Sequence, residues 1–152
     1  MPVKKVKSLK GQPKNWDKKP CPYCGGQVVY GSNAELYGRE YGNGRCYFCK
    51  ECGASVGVFN NSKHKPTRKP LGLLSTWEMK ALMQECRANF DSVWQSRQYT
   101  RRGCYQRLAK LMGIEWGHCH FSYFNEADLK RALKIVKTPN WWMDGYQTKE
   151  AE

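Results

Sequence analysis

The feature that most limits what this chain can fold into is a pair of short cysteine motifs, Cys21-Pro22-Tyr23-Cys24-Gly25-Gly26 and Cys49-Lys50-Glu51-Cys52-Gly53-Ala54. Two Cys-x-x-Cys pairs, each followed by glycine and separated by a turn-rich insert, suit a tetrahedral metal ion gripped from opposite sides. The glycines let backbone amides turn toward the sulfurs. Cys46, Cys49 and Cys52 form a series at three-residue spacing, of which the site needs only two. Cys49 and Cys52 are the choice, because Gly53 after Cys52 mirrors Gly25 after Cys24. Cys46 is then expected on a strand as a small buried hydrophobe, and stands as the alternative to Cys49 or Cys52. The expected cofactor is one structural zinc per chain. Four thiolates close the coordination shell, whereas a catalytic zinc keeps a position for water.

Eight cysteines in 152 residues could also be a disulfide scaffold. The amino terminus argues against it: Lys4, Lys5, Lys7 and Lys10 are followed by no apolar run, so a secretory signal is not expected and the thiols should be reduced in a cytoplasmic protein. No stretch approaches the roughly 18 consecutive apolar residues of a membrane span, so no membrane partner is expected. The formal net charge of +13, from 26 Lys and Arg against 13 Asp and Glu, should draw the molecule toward polyanions such as nucleic acid.

The expected fold class is α+β: a three-stranded zinc ribbon followed by a three-helix domain. Residues 1–19 read as a basic flexible arm in which Trp16 packs on the zinc module. Residues 20–60 read as the ribbon. Val28-Val29-Tyr30 suggests the first strand, Arg45 to Phe48 the second and Ala54 to Phe59 the third. The insert carries Tyr30-Gly31, Tyr37-Gly38 and Tyr41-Gly42, which is turn rather than helix chemistry. Residues 61–74 read as a basic linker. Residues 75–138 read as helical. A first helix runs from Ser75 or Thr76 to about Gln98, with Met79, Leu82, Met83, Cys86, Phe90, Val93 and Trp94 inward. A second runs from Arg101 or Arg102 to Met112 with Gly113 as its stop, and a third follows Asn125 as cap and ends before Pro139. Residues 139–152 form a tail in which Trp141 and Trp142 either fold back on the helices or serve a partner.

These residues resemble the zinc-finger-containing proteins of phages and prophages. The likeness lies in Cys-Pro-Tyr-Cys-Gly-Gly, the tyrosine-glycine pairs, Tyr47 to Val58, Pro70-Leu71-Gly72, Phe90-Asp91-Ser92-Val93-Trp94 and the Tyr105 to Gly113 helix, over roughly residues 20 to 137. The resemblance implies a zinc site at Cys21, Cys24, Cys49 and Cys52 and a protein acting inside a bacterial host. It implies no particular activity.

No phosphate-binding glycine loop, metalloprotease helix or paired carboxylate motif is present, so neither an enzyme nor a small-molecule substrate is expected. His118-Cys119-His120 invites a second metal site, but in an extended segment the two histidines and the cysteine point to opposite sides. Packing beside Trp116 and Phe121 is the favoured role. The leading functional expectation is binding to DNA or RNA, or to a nucleoprotein complex, through basic surfaces: Lys4, Lys5, Lys7, Lys10, Arg45, Lys50, Lys63, Lys65, Arg68, Lys69, Arg97, Arg101, Arg102 and Arg107. Tyr37 and Tyr41 are candidates to stack on bases. The alternative is a protein-interaction module that grips a host enzyme or defence complex through Trp141, Trp142 and Tyr146.

Overall fold

The computed structural model describes residues 15–143, which divide into two compact units at the boundary between Glu78 and Met79. The fold is α+β, but with four strands and four α-helices among the described residues where three and three were expected. In the first unit β1 (Val28–Ser32), β2 (Arg45–Cys49), β3 (Ser55–Asn60) and β4 (Pro66–Pro70) form an antiparallel sheet in the order of the chain.

The register of the first hairpin positions the metal motifs. Val28 pairs with Cys49 and Ser32 with Arg45, so the hairpin begins where the first cysteine motif ends and finishes where the second begins. The Lys50 N–H donates to the Gln27 carbonyl at 2.9 Å and extends this pairing into the motifs themselves. Residues between β1 and β2 contain one extra element, the single-turn helix α1 (Ala34–Tyr37), stopped by Gly38 in the left-handed region at φ +84°. Buried Asn33 ties the insert down. Its side chain donates to the Tyr41 carbonyl at 2.9 Å and accepts from the Tyr41 N–H at 3.0 Å.

The fourth strand corrects the expectation of a linker over 61–74. Its prolines and cations look unlike a strand, yet Pro66 and Pro70 pair with Asn60 and Val58 across an irregular register. An edge strand tolerates proline, because the N–H that proline lacks would not have joined a ladder. The sheet curls: the Tyr30 hydroxyl on β1 donates to the Thr67 carbonyl on β4 at 3.1 Å, and the Tyr47 hydroxyl on β2 donates to the Arg68 carbonyl. Trp16 is buried, as expected, with its indole N–H on the Gly72 carbonyl at 3.4 Å.

Helix α2 (Trp77–Gln95) begins directly after Thr76, the later of the two expected starts. Ser75 cannot open it, because its N–H and C=O are both engaged with Ser55 at 2.9 Å. Met79, Met83, Cys86, Phe90 and Val93 are its buried positions, at the spacing read from the sequence. Helix α3 (Arg101–Met112) is capped by Thr100, whose hydroxyl accepts from the Gly103 N–H at 3.0 Å, and stops at Gly113 with φ +71°. Helix α4 (Glu126–Lys137) is capped by Asn125, which accepts from the Asp128 N–H at 2.8 Å. Two 3-10 turns, Trp116–His118 and Phe121–Tyr123, occupy the aromatic stretch between α3 and α4.

Phe90 centres the core of this second unit. Its ring meets Tyr105 at 4.6 Å, Phe121 edge-on at 5.4 Å and Trp141 in a stacked arrangement at 5.7 Å. Trp141 is 1% exposed, so of the two readings of the tail it takes the folded-back one. No helix of the described residues is long and apolar enough to cross a membrane.

Candidate metal centre

Both cysteine motifs fold by the same local rule. In the first, the Cys21 N–H donates to the Gly26 carbonyl and the Gly25 N–H to the Cys21 carbonyl, each at 2.9 Å. In the second, the Cys49 N–H donates to the Ala54 carbonyl at 2.8 Å and the Gly53 N–H to the Cys49 carbonyl at 3.1 Å. Each loop turns through a left-handed residue, Gly25 at φ +76° and Gly53 at φ +78°, a conformation that costs glycine nothing and a side chain about 1–2 kcal/mol. This turn aims amides at sulfur. Cys24 Sγ accepts from the Gly26 N–H at 3.3 Å, Cys49 Sγ from Glu51 at 3.4 Å and Cys52 at 3.5 Å, and Cys21 Sγ from Tyr23 at 3.5 Å.

The four sulfurs of Cys21, Cys24, Cys49 and Cys52 lie within 4.8 Å of one another. Cys21 Sγ is 3.7 Å from Cys52 Sγ, and Cys24 Sγ is 3.4 Å from Cys49 Sγ. A zinc–sulfur bond of about 2.3 Å sets a tetrahedron edge of about 3.8 Å, so the donor set fits zinc in both chemistry and spacing. Cys46 is buried on β2 opposite Gly31 and Gly57 and is not one of the four.

The surroundings of the thiols differ. Burial pushes Cys49 up, but the Cys52 and Glu51 amides and the neighbouring thiols outweigh it and hold its pKa at about 7. Cys52 is pushed to about 12, first by burial and then by its three thiol neighbours. Cys24 receives the Gly26 N–H, which lowers it, yet the Cys49 thiol and desolvation leave it raised overall.

The two motifs also press on each other. A Cβ built on Gly26 would lie 2.5 Å from Glu51 Cγ and 2.9 Å from Cys49 Sγ. One on Gly53 would lie 2.7 Å from the indole nitrogen of Trp77. Trp77 is a residue that the sequence reading passed over. It carried a signal, since it precedes Met79 by two positions and therefore falls about 200° from it around the helix, off the apolar face.

A sheet hairpin that ends in two cysteine knuckles with four convergent thiols defines a metal-binding module of the zinc-finger type. The chain belongs to the zinc-finger-containing domain family, which matches residues 17–139. No curated protein and no solved structure matches it significantly.

The basic residues singled out in the sequence separate into two groups. Some are committed to the fold. Arg45 pairs with Glu40 at 3.5 Å, Arg68 pairs with Asp17 and lies 4.3 Å from the Tyr30 ring, and Arg107 donates its Nε to the Trp141 carbonyl at 3.2 Å. Arg131 on α4 donates to the Met112 and Leu111 carbonyls and so caps the end of α3. Others face outward: Lys50, Lys63, Lys65, Lys69, Arg97, Arg101 and Arg102 are exposed, as are Tyr37 and Tyr41, whose rings meet edge-on at 5.6 Å. Trp141 has no exposed ring to offer a partner, and Trp142 is half-buried beside it at 6.1 Å. Lys4, Lys5, Lys7, Lys10 and Tyr146 lie outside the described residues.

Cys119 is buried and its thiol is pushed up to about 12 by that burial. The His120 ring sits between Tyr105 at 5.9 Å and Tyr123 at 4.9 Å, and desolvation is the main cause of its lowered pKa. These are packing contacts. The four-cysteine set is the one group of three or more convergent ligand-type side chains among the described residues.

Proposed function

We propose that the protein is a metal-stapled nucleic-acid-binding protein without enzymatic activity, and that the corner between α2 and α3 makes phosphate contacts. One observation carries this reading. Arg97, Arg101 and Arg102 are exposed within six residues, and no carboxylate partners their guanidinium groups among the described residues. Two of them lie beside rings: Arg101 is 5.4 Å from Trp94 and 5.6 Å from Tyr105, and Arg102 is 5.3 Å from Trp116, whose ring is 48% exposed. An arginine fixed by a ring loses less rotamer freedom when it meets a phosphate, and the exposed ring offers a face to an unpaired base.

In this reading one zinc per chain is structural, its shell closed by four thiolates, and the basic arm adds phosphate contacts that are not sequence-specific. The test is the salt dependence of binding to a fluorescently labelled 20-base-pair DNA and to the corresponding single strands of DNA and RNA. On the duplex each neutralised phosphate adds about 0.9 to the slope of log affinity against log salt. The double substitution Arg101→Ala and Arg102→Ala is therefore expected to shallow that slope by about 1.8. An unchanged slope, or no binding at low salt, removes the proposal.

A further inference from the structure

A cavity of about 220 Å³ lies in the second unit, between the carboxy-terminal half of α2 and the residues that end α4 and follow it. That is below the roughly 300–1,000 Å³ of sites that enclose a whole small molecule, and suits one flat ring whose remainder stays outside. The apolar part of the wall is Val93, Val136, Pro139 and Trp142. Trp142 is half-buried and stacks on no other ring among the described residues, since it meets Trp141 at 84°.

The polar side chains of the wall have spent donors on the protein itself. Asn89 Nδ2 donates to the Glu85 carbonyl and Ser92 Oγ to the Asn89 carbonyl, each at 2.9 Å. Gln98 Nε2 donates to Ser96 Oγ at 2.8 Å, and Thr138 Oγ1 to the Lys134 carbonyl at 2.9 Å. Each hydroxyl has thereby used its only proton. Each amide is held with its carbonyl oxygen unpartnered among the described residues. What the wall offers a ligand is therefore chiefly acceptors.

No carboxylate lines the cavity among the described residues, and Lys137 is its one charged side chain there, so a cation is a poor occupant. A neutral flat donor is a good one. The exocyclic amino group of a nucleobase can meet the acceptors while its ring lies against the indole and the aliphatic wall. Cytosine, adenine and guanine carry such a group, whereas thymine and uracil present a carbonyl where cytosine has its amino group. Lys137 supplies a cation for the phosphate attached to the base, and Gln98 directly follows Arg97 of the arginine corner.

We propose that this cavity takes one unpaired, amino-bearing base of a single-stranded nucleic acid, stacked on Trp142 and read by Asn89 and Gln98. The inference rests on the nucleic-acid reading above and deepens it. The arginines hold phosphates without choice of sequence, and the cavity supplies the choice.

The test compares three fluorescently labelled octamers, (dC)8, (dU)8 and an abasic strand, by anisotropy against the zinc-loaded full chain at pH 7.5. All three carry the same phosphates, and the first two differ at the group the cavity reads. One hydrogen bond to the amino group should favour (dC)8 over (dU)8 by about 2- to 10-fold. The double substitution Asn89→Ala and Gln98→Ala should erase that preference and leave the salt slope as it is. Trp142→Ala should weaken binding of (dC)8 by about 5- to 150-fold and leave that of the abasic strand unchanged, which also shows that the variant is folded. Equal affinity for (dC)8 and (dU)8, or a preference that survives the double variant, overturns the cavity site while binding of the abasic strand keeps the arginine corner. Failure to bind any strand removes both. Acceptors beside an indole also suit sugar hydroxyls, so displacement of (dC)8 by chitotriose would assign the cavity to carbohydrate and overturn the proposal.

Discussion

Substituting Gly26 by alanine tests the metal centre at the point where the two knuckles touch. The added methyl would sit 2.5 Å from Glu51 Cγ, 2.8 Å from Glu51 Cβ and 2.9 Å from Cys49 Sγ. Ordinary carbon contacts lie at about 3.5–4.0 Å, so each neighbour must retreat by roughly 1 Å. Glu51 Cγ can swing away, because its side chain is exposed. Glu51 Cβ and Cys49 Sγ cannot, because both are fixed by the backbone of the second knuckle. A zinc ligand tolerates displacement of only about 0.2 Å, and overpacking of this kind costs about 1–3 kcal/mol. At about 1.4 kcal/mol per decade, zinc affinity should drop about 5- to 150-fold, read by competition with a chromogenic chelator. Gly25→Ala is the control. Its Cβ meets nothing within 4 Å, so it carries only the cost of its left-handed backbone in the first knuckle, about 1–2 kcal/mol, with no clash against Cys49. Shortening Glu51 to alanine in the Gly26→Ala background should recover little, since Cβ and Sγ remain in the way. Wild-type zinc affinity for Gly26→Ala, or full recovery in that double variant, would refute the close-approach argument.

Metal uptake should depend steeply on pH. Cys52, raised to about 12, and Cys24, raised above its ordinary 9.0, are protonated near neutrality, and zinc takes thiolate. These protons must leave on binding, so affinity rises with pH across the neutral range by at least about a hundredfold per unit. Cys49, at about 7, adds a further proton only as pH falls toward and below that value. Calorimetry in buffers of different ionisation enthalpy counts the protons; release of none near pH 7.5 contradicts the assignment. Trp141→Ala removes a ring buried to 1% and stacked on Phe90, and should destabilise the helical unit by about 3–5 kcal/mol in urea unfolding, with zinc still bound. A loss under 1 kcal/mol would return Trp141 to the role of a partner anchor.

The metal ligands were legible in the sequence because their information is local. Each knuckle is one turn, and Gly25 and Gly53 sit where that turn needs a left-handed residue. The same holds for the Gly113 stop of α3 and for the cap of α4, where Asn125 bonds an amide three residues on. Helix α2 was legible as a period, but the choice between Ser75 and Thr76 at its start was not, because Ser75 is drawn into a bridge with Ser55, twenty residues earlier. Strand β4 was hidden for a related reason. Its residues have turn and linker composition, and only the partner strand, together with the hydroxyls of Tyr30 and Tyr47, makes Pro66–Pro70 part of a sheet.

The roles of the arginines and tryptophans were the least visible. Along the chain Arg101, Arg107 and Arg131 are equivalent cations, yet one is exposed beside two rings, one holds Trp141 and one caps α3. Trp77 and Trp141 are equally apolar, yet one stands half in solvent over a zinc-finger knuckle and the other closes a core. Sequence by itself determined which four cysteines, Cys21, Cys24, Cys49 and Cys52, converge as a candidate metal site and that three long helices follow, since turns, caps and apolar periods are written within a few residues. Only the tertiary structure decided which charges and which rings are drawn into the fold. Those depend on which carbonyls, carboxylates and aromatic faces are brought alongside from distant parts of the chain.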